Sequence, residues 1–324
     1  MAVIKANAYG HGLLRAAEAL RHADAFAVVD IAAGLALREI GCTQPVVLLE
    51  GFFDSAELHV IGASRLTPVV HCPEQLDMLE QPGATRPADI FLKINTGMNR
   101  LGFEAGSVVG AIERLRAIGI SSPTLMTHFA RADDEDGVAE PLARFEAIAS
   151  AWPFPRSLAN SAAILRHPST HADWVRPGIM LYGASPCAAI PASAFGLAPV
   201  MTLASEITAV RTIEAGEAVG YGAAYVAPRA MRIGVVAGGY ADGYPRHAPS
   251  GTPVLVDDLR CGTVGRVSMD MLCVDLSAAP EARVGSRVTL WGRGLPVDEV
   301  AASAGTIGYE LLCALAPRVP IVYV

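Results

Sequence analysis

Between residue 2 and about residue 183, short apolar runs alternate with stretches of helical period, which restricts this part of the chain to parallel α/β architectures. The runs fall at 2–5, 26–30, 46–50, 66–70, 89–95, 125–129, 157–160 and 174–183, eight in all. Helical periodicity occupies 13–21, 33–40, 73–79, 108–118 and 142–151. Eight strands with helices between them predict an N-terminal (β/α)8 barrel of the TIM type. A doubly wound open sheet shares the alternation, but no GxGxxG follows an early strand to support a dinucleotide site. After 191–199 the texture changes. Alternating β-branched runs separated by Gly, Asp and Pro turns predict a C-terminal, mostly β domain, with only 297–304 reading as a helix. The expected division is 1–195 and 196–324.

Hydrophobic residues make up 52% of the 324 and charged residues 18%, which favours a large core over disorder. A net charge of -7 without a basic block argues against nucleic acid as a partner. No apolar run reaches membrane-spanning length without Pro, Gly or a charge, and the first residues lack the zones of a signal peptide. The six cysteines are scattered, with no CxxC and no zinc spacing. The expectation is a reduced, cytoplasmic, soluble protein without a metal.

Among 25 basic residues only two are lysines, Lys5 and Lys93, and both lie in short apolar runs. Arginine covers the surface elsewhere. Lysine can be deprotonated and arginine cannot, so a lysine kept in such a place suggests amine chemistry. A lysine snorkelling from a strand end is the competing reading, and the count alone does not choose.

The polar outliers of the first half gather where the proposed strands end. Lys5 and Tyr9 follow the first strand, and Lys93, Asn95 and Arg100 end or follow the fifth. His128 ends the sixth, Asn160 and Ser161 the seventh, and Arg176 with Gly178 stand in the eighth. Active sites of barrels are built at that edge, and the loops after strands seven and eight commonly hold a phosphate. Hydroxyls and free backbone N–H groups at such turns suit a phosphate dianion. Any one of these residues could be an ordinary polar strand end; together they point to a site.

These segments resemble bacterial alanine racemases. VIKANAYGHG (3–12) is similar to the family's pyridoxal 5'-phosphate attachment segment. KINTGMNRLG (93–102), THFA (127–130), ANSA (159–162) and VRPGIMLYG (175–183) follow in the family's order. So do VGYGAAY (219–225), GYADGYPR (239–246), GRVSMD (265–270), IGYE (307–310) and PRVP (317–320). The resemblance implies interconversion of L- and D-alanine, supplying D-alanine for peptidoglycan or degrading it. It also implies a homodimer with shared active sites.

By that resemblance Lys5 bonds to the cofactor and serves as one base, and Tyr221, from the partner subunit, serves as the other. A free phenol titrates near ~10, so a tyrosine base has to be tuned by its neighbours. Arg176 would hold the pyridine nitrogen and His128 would lie beside the ring. Tyr9, Ser161, Gly178, Ile179 and Tyr309 would hold the phosphate. Arg100 and the backbone N–H of Met269, the latter from the partner subunit, would take the substrate carboxylate, and Tyr240 with Tyr309 would narrow the entrance. Lys93 is a candidate for carbamylation, its new carboxylate orienting Arg100. Asn95 stands where many members carry Asp, and Ser157 where some carry His beside the pyridine-binding arginine. Members also carry a strand and a first helix ahead of the lysine segment, whereas Met1 opens directly into the first strand; the expectation is a start set downstream of the true one.

Three rival readings stay open at this level. A broader amino-acid racemase would share every motif. A basic-amino-acid decarboxylase of the same fold would pair the pyridine with a carboxylate, against Arg176. A pyridoxal-phosphate carrier would consist of the barrel alone, against the β domain bearing Tyr221.

Overall fold

The computed structural model describes residues 1–324 as two compact units, Met1–Leu181 and Tyr182–Val324. In the first unit all eight runs form strands: β1 (Ala2–Val3), β2 (Phe26–Val28), β3 (Val46–Leu48), β4 (Thr67–Val70), β5 (Phe91–Lys93), β6 (Thr124–Met126), β7 (Arg156–Asn160) and β8 (Trp174–Arg176). They pair in parallel in chain order, and the ring meets itself where Val3 N–H donates to Pro177 O (2.9 Å) and the Met1 nitrogen to Val175 O (2.7 Å). Strands covered on both faces read as continuous apolar runs rather than alternating ones. Val28, Leu48, Val69, Leu92 and Leu125 are accordingly fully buried.

Local chemistry starts the helices between strands. Asp30 caps Ile31–Glu39 by accepting from Ala33 N–H, Asp54 caps Ser55–Ala63 through Ala56 and Glu57 N–H, and Pro73 opens Pro73–Glu80. Helices Val108–Ala117 and Ala139–Ala149 follow β5 and β6. Two helices carried too weak a period for the sequence reading: Ser55–Ala63, apolar on most sides, and Ser161–Arg166, only six residues long. The eighth strand is also shorter than its apolar run. It stops at Arg176 because Pro177 has no N–H to continue the ladder, and Ile179–Tyr182 form a 3-10 turn.

The second unit is a closed antiparallel barrel of six strands, built from β9 (Leu203–Ile213), β12 (Met231–Ala237), β13 (Pro253–Val256), β14 (Leu259–Val264), β15 (Met271–Asp275) and β16 (Arg287–Trp291). The order is β12-β15-β14-β13-β16-β9. A two-stranded ribbon, β10 (Ala218–Val219) with β11 (Tyr225–Val226), stands apart from it. Trp291 and Tyr244 stack at 6.1 Å in the core. β14 escapes the apolar pattern because Arg260, Gly262 and Thr263 interrupt it, but Asp257 and Asp258, at φ 45° and 65°, make the left-handed two-residue turn that joins β13 to β14 as a hairpin. Val297–Ala304 is helical as expected; a second helix, Gly308–Cys313, corrects the reading of only one there.

Candidate active site

Lys5 sits one residue beyond a fully buried Ile4, at the end of the first barrel strand. The chain then does something L-residues avoid. Ala6, Asn7, Ala8 and Tyr9 all take left-handed helical conformations, with φ between 51° and 54°. Each such residue costs roughly 1–2 kcal/mol. The turn persists because its groups are tied down. Asn7 Oδ1 accepts from Leu13 N–H (2.9 Å), Gly12 N–H donates to Asn7 O (2.9 Å), and His11 Nδ1 lies 2.9 Å from Tyr9 O. Of the four residues only Asn7 belongs to a type that tolerates this region well. The result is a rigid turn that holds Lys5 and Tyr9 at one rim.

Tyr9 points its hydroxyl toward the loop after β8. Gly178 N–H donates to Ser161 Oγ (2.8 Å), and a Cβ on Gly178 would stand 2.7 Å from Tyr9 Oη. Only glycine leaves this concavity open. Tyr9, Ser161, Gly178 and Ile179, all predicted phosphate ligands, are thus brought together. Asn160 fixes the preceding strand end by donating to Phe129 O (3.1 Å) and accepting from Ala163 N–H (3.1 Å).

Arg176 is 5% exposed, yet none of its hydrogen-bond partners is a carboxylate. It donates to Ser157 Oγ (2.7 Å), Thr127 O (2.7 Å), Leu158 O (3.1 Å) and, at 3.4 Å, His128 Nδ1. Burial without a counterion pushes it down to about 10, so it stays a cation at neutral pH. Ser157 supports the guanidinium by accepting from it through its hydroxyl oxygen. His128 is driven down to about 3, by burial first and then by the positive charges of Arg176, Lys93, Arg100 and Lys5. It is therefore a neutral imidazole whose Nδ1 faces a donor.

Lys93 is 8% exposed at the end of β5. Burial, then Arg176 and Arg100, bring it down to about 8. It lines a small cavity with Thr96, Arg100, Thr127 and His128. Arg100 is carried by a loop that folds back on β5, Phe103 N–H donating to Lys93 O and Asn95 N–H to Phe103 O. Asn95 organises that loop with both ends of its amide. Its Oδ1 accepts from Gly97 and Asn99 N–H, and its Nδ2 donates to Asn99 Oδ1 and Glu104 Oε1. An aspartate could not make the last two bonds, so the asparagine is matched to Glu104.

The remaining candidates lie in the second unit. Tyr221 stands on a 3-10 turn between β10 and β11 with 71% of its surface exposed. Its neighbours Gly220 and Gly222 lie against Arg266. Met269 is exposed in the loop after β14, and that loop binds the turn of Tyr240 through Tyr240 N–H to Ser268 O and Ala241 N–H to Met269 O, both 3.0 Å. One loop, 265–270, thus adjoins the turns of both Tyr221 and Tyr240. Tyr309 opens the Gly308–Cys313 helix. Thr127, Arg266 and Arg318 lie in the segments 127–130, 265–270 and 317–320, but nothing in the sequence assigns them separate roles, since a backbone carbonyl and exposed arginines show theirs only in the fold. All six cysteines are free, and no helix is long and apolar enough to cross a membrane.

The family model described as "Alanine racemase, N-terminal domain" matches residues 1–186, and "Alanine racemase, C-terminal domain" matches 200–323. A protein of Nitrosospira multiformis called alanine racemase is 59% identical over 98% of this chain and 90% of its own length. One from Burkholderia mallei is 57% identical over 99% and 90%. The biosynthetic alanine racemase of Pseudomonas aeruginosa superposes with a TM-score of 0.96 at 47% identity, covering 99% of this chain and 90% of that one. That of Bartonella henselae, solved with covalently bound pyridoxal phosphate, gives 0.87 at 27% identity, covering 100% and 92%. With both halves matched in order and nearly the whole length covered, the chain belongs to the alanine racemase family.

Proposed function

We propose that the protein interconverts L- and D-alanine with pyridoxal 5'-phosphate. The observation that carries the reading is Arg176, a buried cation with only neutral partners at the foot of the rim where Lys5 and the Tyr9–Ser161–Gly178 concavity converge. The residues fit the group. Tyr9, Ser161, Gly178 and Ile179 offer donors to a phosphate, and Tyr309 joins them as a candidate. Lys5 would supply the amine, and Arg176 would donate to an unprotonated ring nitrogen. When bound, the cofactor acts as an electron sink that acidifies the Cα–H of the substrate.

The chain's own groups do the rest. Arg100, through charge-assisted bonds, and the N–H of Met269 contributed by the partner subunit hold the carboxylate. Lys5 Nζ takes the Cα proton of D-alanine, and Tyr221 Oη takes that of L-alanine from the opposite face; each returns its proton in the reverse direction. With the cofactor bound, Arg176, which donates to the ring nitrogen without protonating it, would keep that sink weak. Because Tyr221 stands exposed on its own unit, we read it as serving the site of a partner subunit in a homodimer. Tyr240 and Tyr309 narrow the entrance to a methyl side chain.

The test is the purified chain with added pyridoxal 5'-phosphate. The expected result is the visible band of a lysine-bound cofactor together with D-to-L conversion of alanine, faster than that of serine or lysine. Equal turnover of L-alanine, L-serine and L-lysine would count against the alanine assignment. A band without conversion would favour a carrier.

Lys93 gives a second expectation. Its amine nitrogen can bond to the carbon of CO2, one C=O opens to a carboxylate, and the displaced N–H proton goes to solvent. Only the neutral amine reacts, and with the ammonium held down to about 8 that form becomes the larger fraction above pH 8. In a rim already carrying Lys5, Arg100 and Arg176, exchanging a cation for an anion is electrostatically favoured. With 13C-bicarbonate, a carbamate resonance is expected to grow between pH 7 and 9 and to be missing from Lys93→Arg. Its absence at every pH removes the carbamate from the reading.

A further inference from the structure

The turn of Tyr240 and the loop of Met269 are packed closer than side chains allow. A Cβ on Gly239 would stand 2.2 Å from Ser268 O and 2.5 Å from Met269 O, and Gly238 N–H donates to Asp270 O (2.8 Å). Asp242 closes the turn by accepting from Gly239 N–H through Oδ2 (2.9 Å). A third segment then crosses both. Arg318 donates from Nε to Asp242 Oδ1 (2.7 Å) and from Nη2 to Asp270 Oδ1 (2.6 Å), while Ala316 N–H donates to Asp242 O (3.2 Å).

We infer that the Asp242–Arg318–Asp270 bridge is a positioning clamp, which fixes Met269 and Tyr240 relative to each other and so sets substrate affinity and side-chain selectivity. The inference rests on the roles proposed above for Met269 and Tyr240. Each ion pair taken alone is half-exposed, and such pairs contribute little to global stability. Their importance is geometric. One planar guanidinium donates in two directions at once, which a lysine ammonium on a flexible stem reproduces poorly. The Asp242 carboxylate also accepts from Gly239 N–H, and the Asp270 backbone carbonyl from Gly238 N–H, so the arginine locks two turns rather than two side chains. Asp242 is held below the usual carboxylate range, by Arg318 first, so the bridge is complete at neutral pH.

The test compares Arg318→Ala, Arg318→Lys and the pair Asp242→Asn and Asp270→Asn, all as holoenzyme, with L-alanine and L-serine as substrates. Arg318→Ala is expected to raise KM for L-alanine about five- to tenfold with a smaller change in kcat, and to raise the serine-to-alanine ratio of kcat/KM. Arg318→Lys should recover part of the loss, and each Asn variant should reproduce part of it. Unchanged KM and selectivity in Arg318→Ala overturn the clamp, as does an equal fall in kcat for both substrates at constant ratio, the mark of a merely structural residue. If Arg318→Ala fails to fold, the two Asn variants decide by the same criteria. Tyr221→Phe runs alongside. If it stays fully active the catalytic reading has failed, whereas an inactive Tyr221→Phe beside a normal Arg318→Ala sinks the clamp alone.

Discussion

Lys5→Ala is expected to lower kcat/KM for racemisation on the order of 10⁴-fold or more, because it removes both the covalent attachment and one of two proton-transfer groups. The visible band of the lysine-bound cofactor should vanish with it. Lys5→Arg is expected to be no better. The guanidinium keeps the charge but neither bonds to an aldehyde nor gives up a proton near neutral pH. The fold should tolerate both changes, since Lys5 is half-exposed and the left-handed turn beyond it is held by Asn7, His11 and Gly12 rather than by the lysine. A thermal unfolding scan within a few degrees of the parent would establish that the lost activity is chemical. Retention of both the band and racemisation in Lys5→Ala would end the assignment.

The barrel was legible because its strands are buried on both faces and so appear as uninterrupted apolar runs. Lys5 and Lys93 stood out against an arginine-rich background for the same reason. What the sequence could not display is how those residues are held. Nothing in residues 6–9 announces four consecutive left-handed conformations, because alanine and tyrosine carry no preference for them; the strained turn is held by the local hydrogen bonds of Asn7, His11 and Gly12. Arg176 stands out in the sequence at the end of the eighth run, but its neutral surroundings depend on the carbonyls of Thr127, just after β6, and Leu158 in β7, which have no side-chain signature. Asn95 looked like a departure from a family aspartate; its fit to Glu104 appears only once the loop closes on β5. The eighth strand was overextended because Ile179–Tyr182 is as apolar as a strand, while the proline before it decides the outcome through a missing N–H.

Tyr221→Phe is expected to reduce racemisation by about 10²–10⁴-fold, the usual worth of a positioned proton-transfer group. The fall must be equal in the two directions. Enantiomers have the same free energy in solution, so the ratio of the two kcat/KM values is fixed at one whatever the mutation. The asymmetry shows instead in deuterium oxide. Lys5 should still exchange the Cα proton of D-alanine for deuterium, whereas exchange into L-alanine should fall with the phenol. Equal loss of exchange from both enantiomers would make Tyr221 a positioning group; intact racemisation in both directions would remove it from the chemistry altogether. Phenylalanine preserves the shape of a side chain that is 71% exposed, so stability should change little. The same variant also tests where the tyrosine acts. In a two-fold homodimer whose sites take Lys5 from one subunit and Tyr221 from the other, mixing inactive Lys5→Ala and Tyr221→Phe chains creates heterodimers with one site wholly native and one doubly defective. Random pairing makes half the dimers mixed, so re-association should restore about a quarter of the parental activity. If both groups came from the same chain, no mixture of the two could recover any.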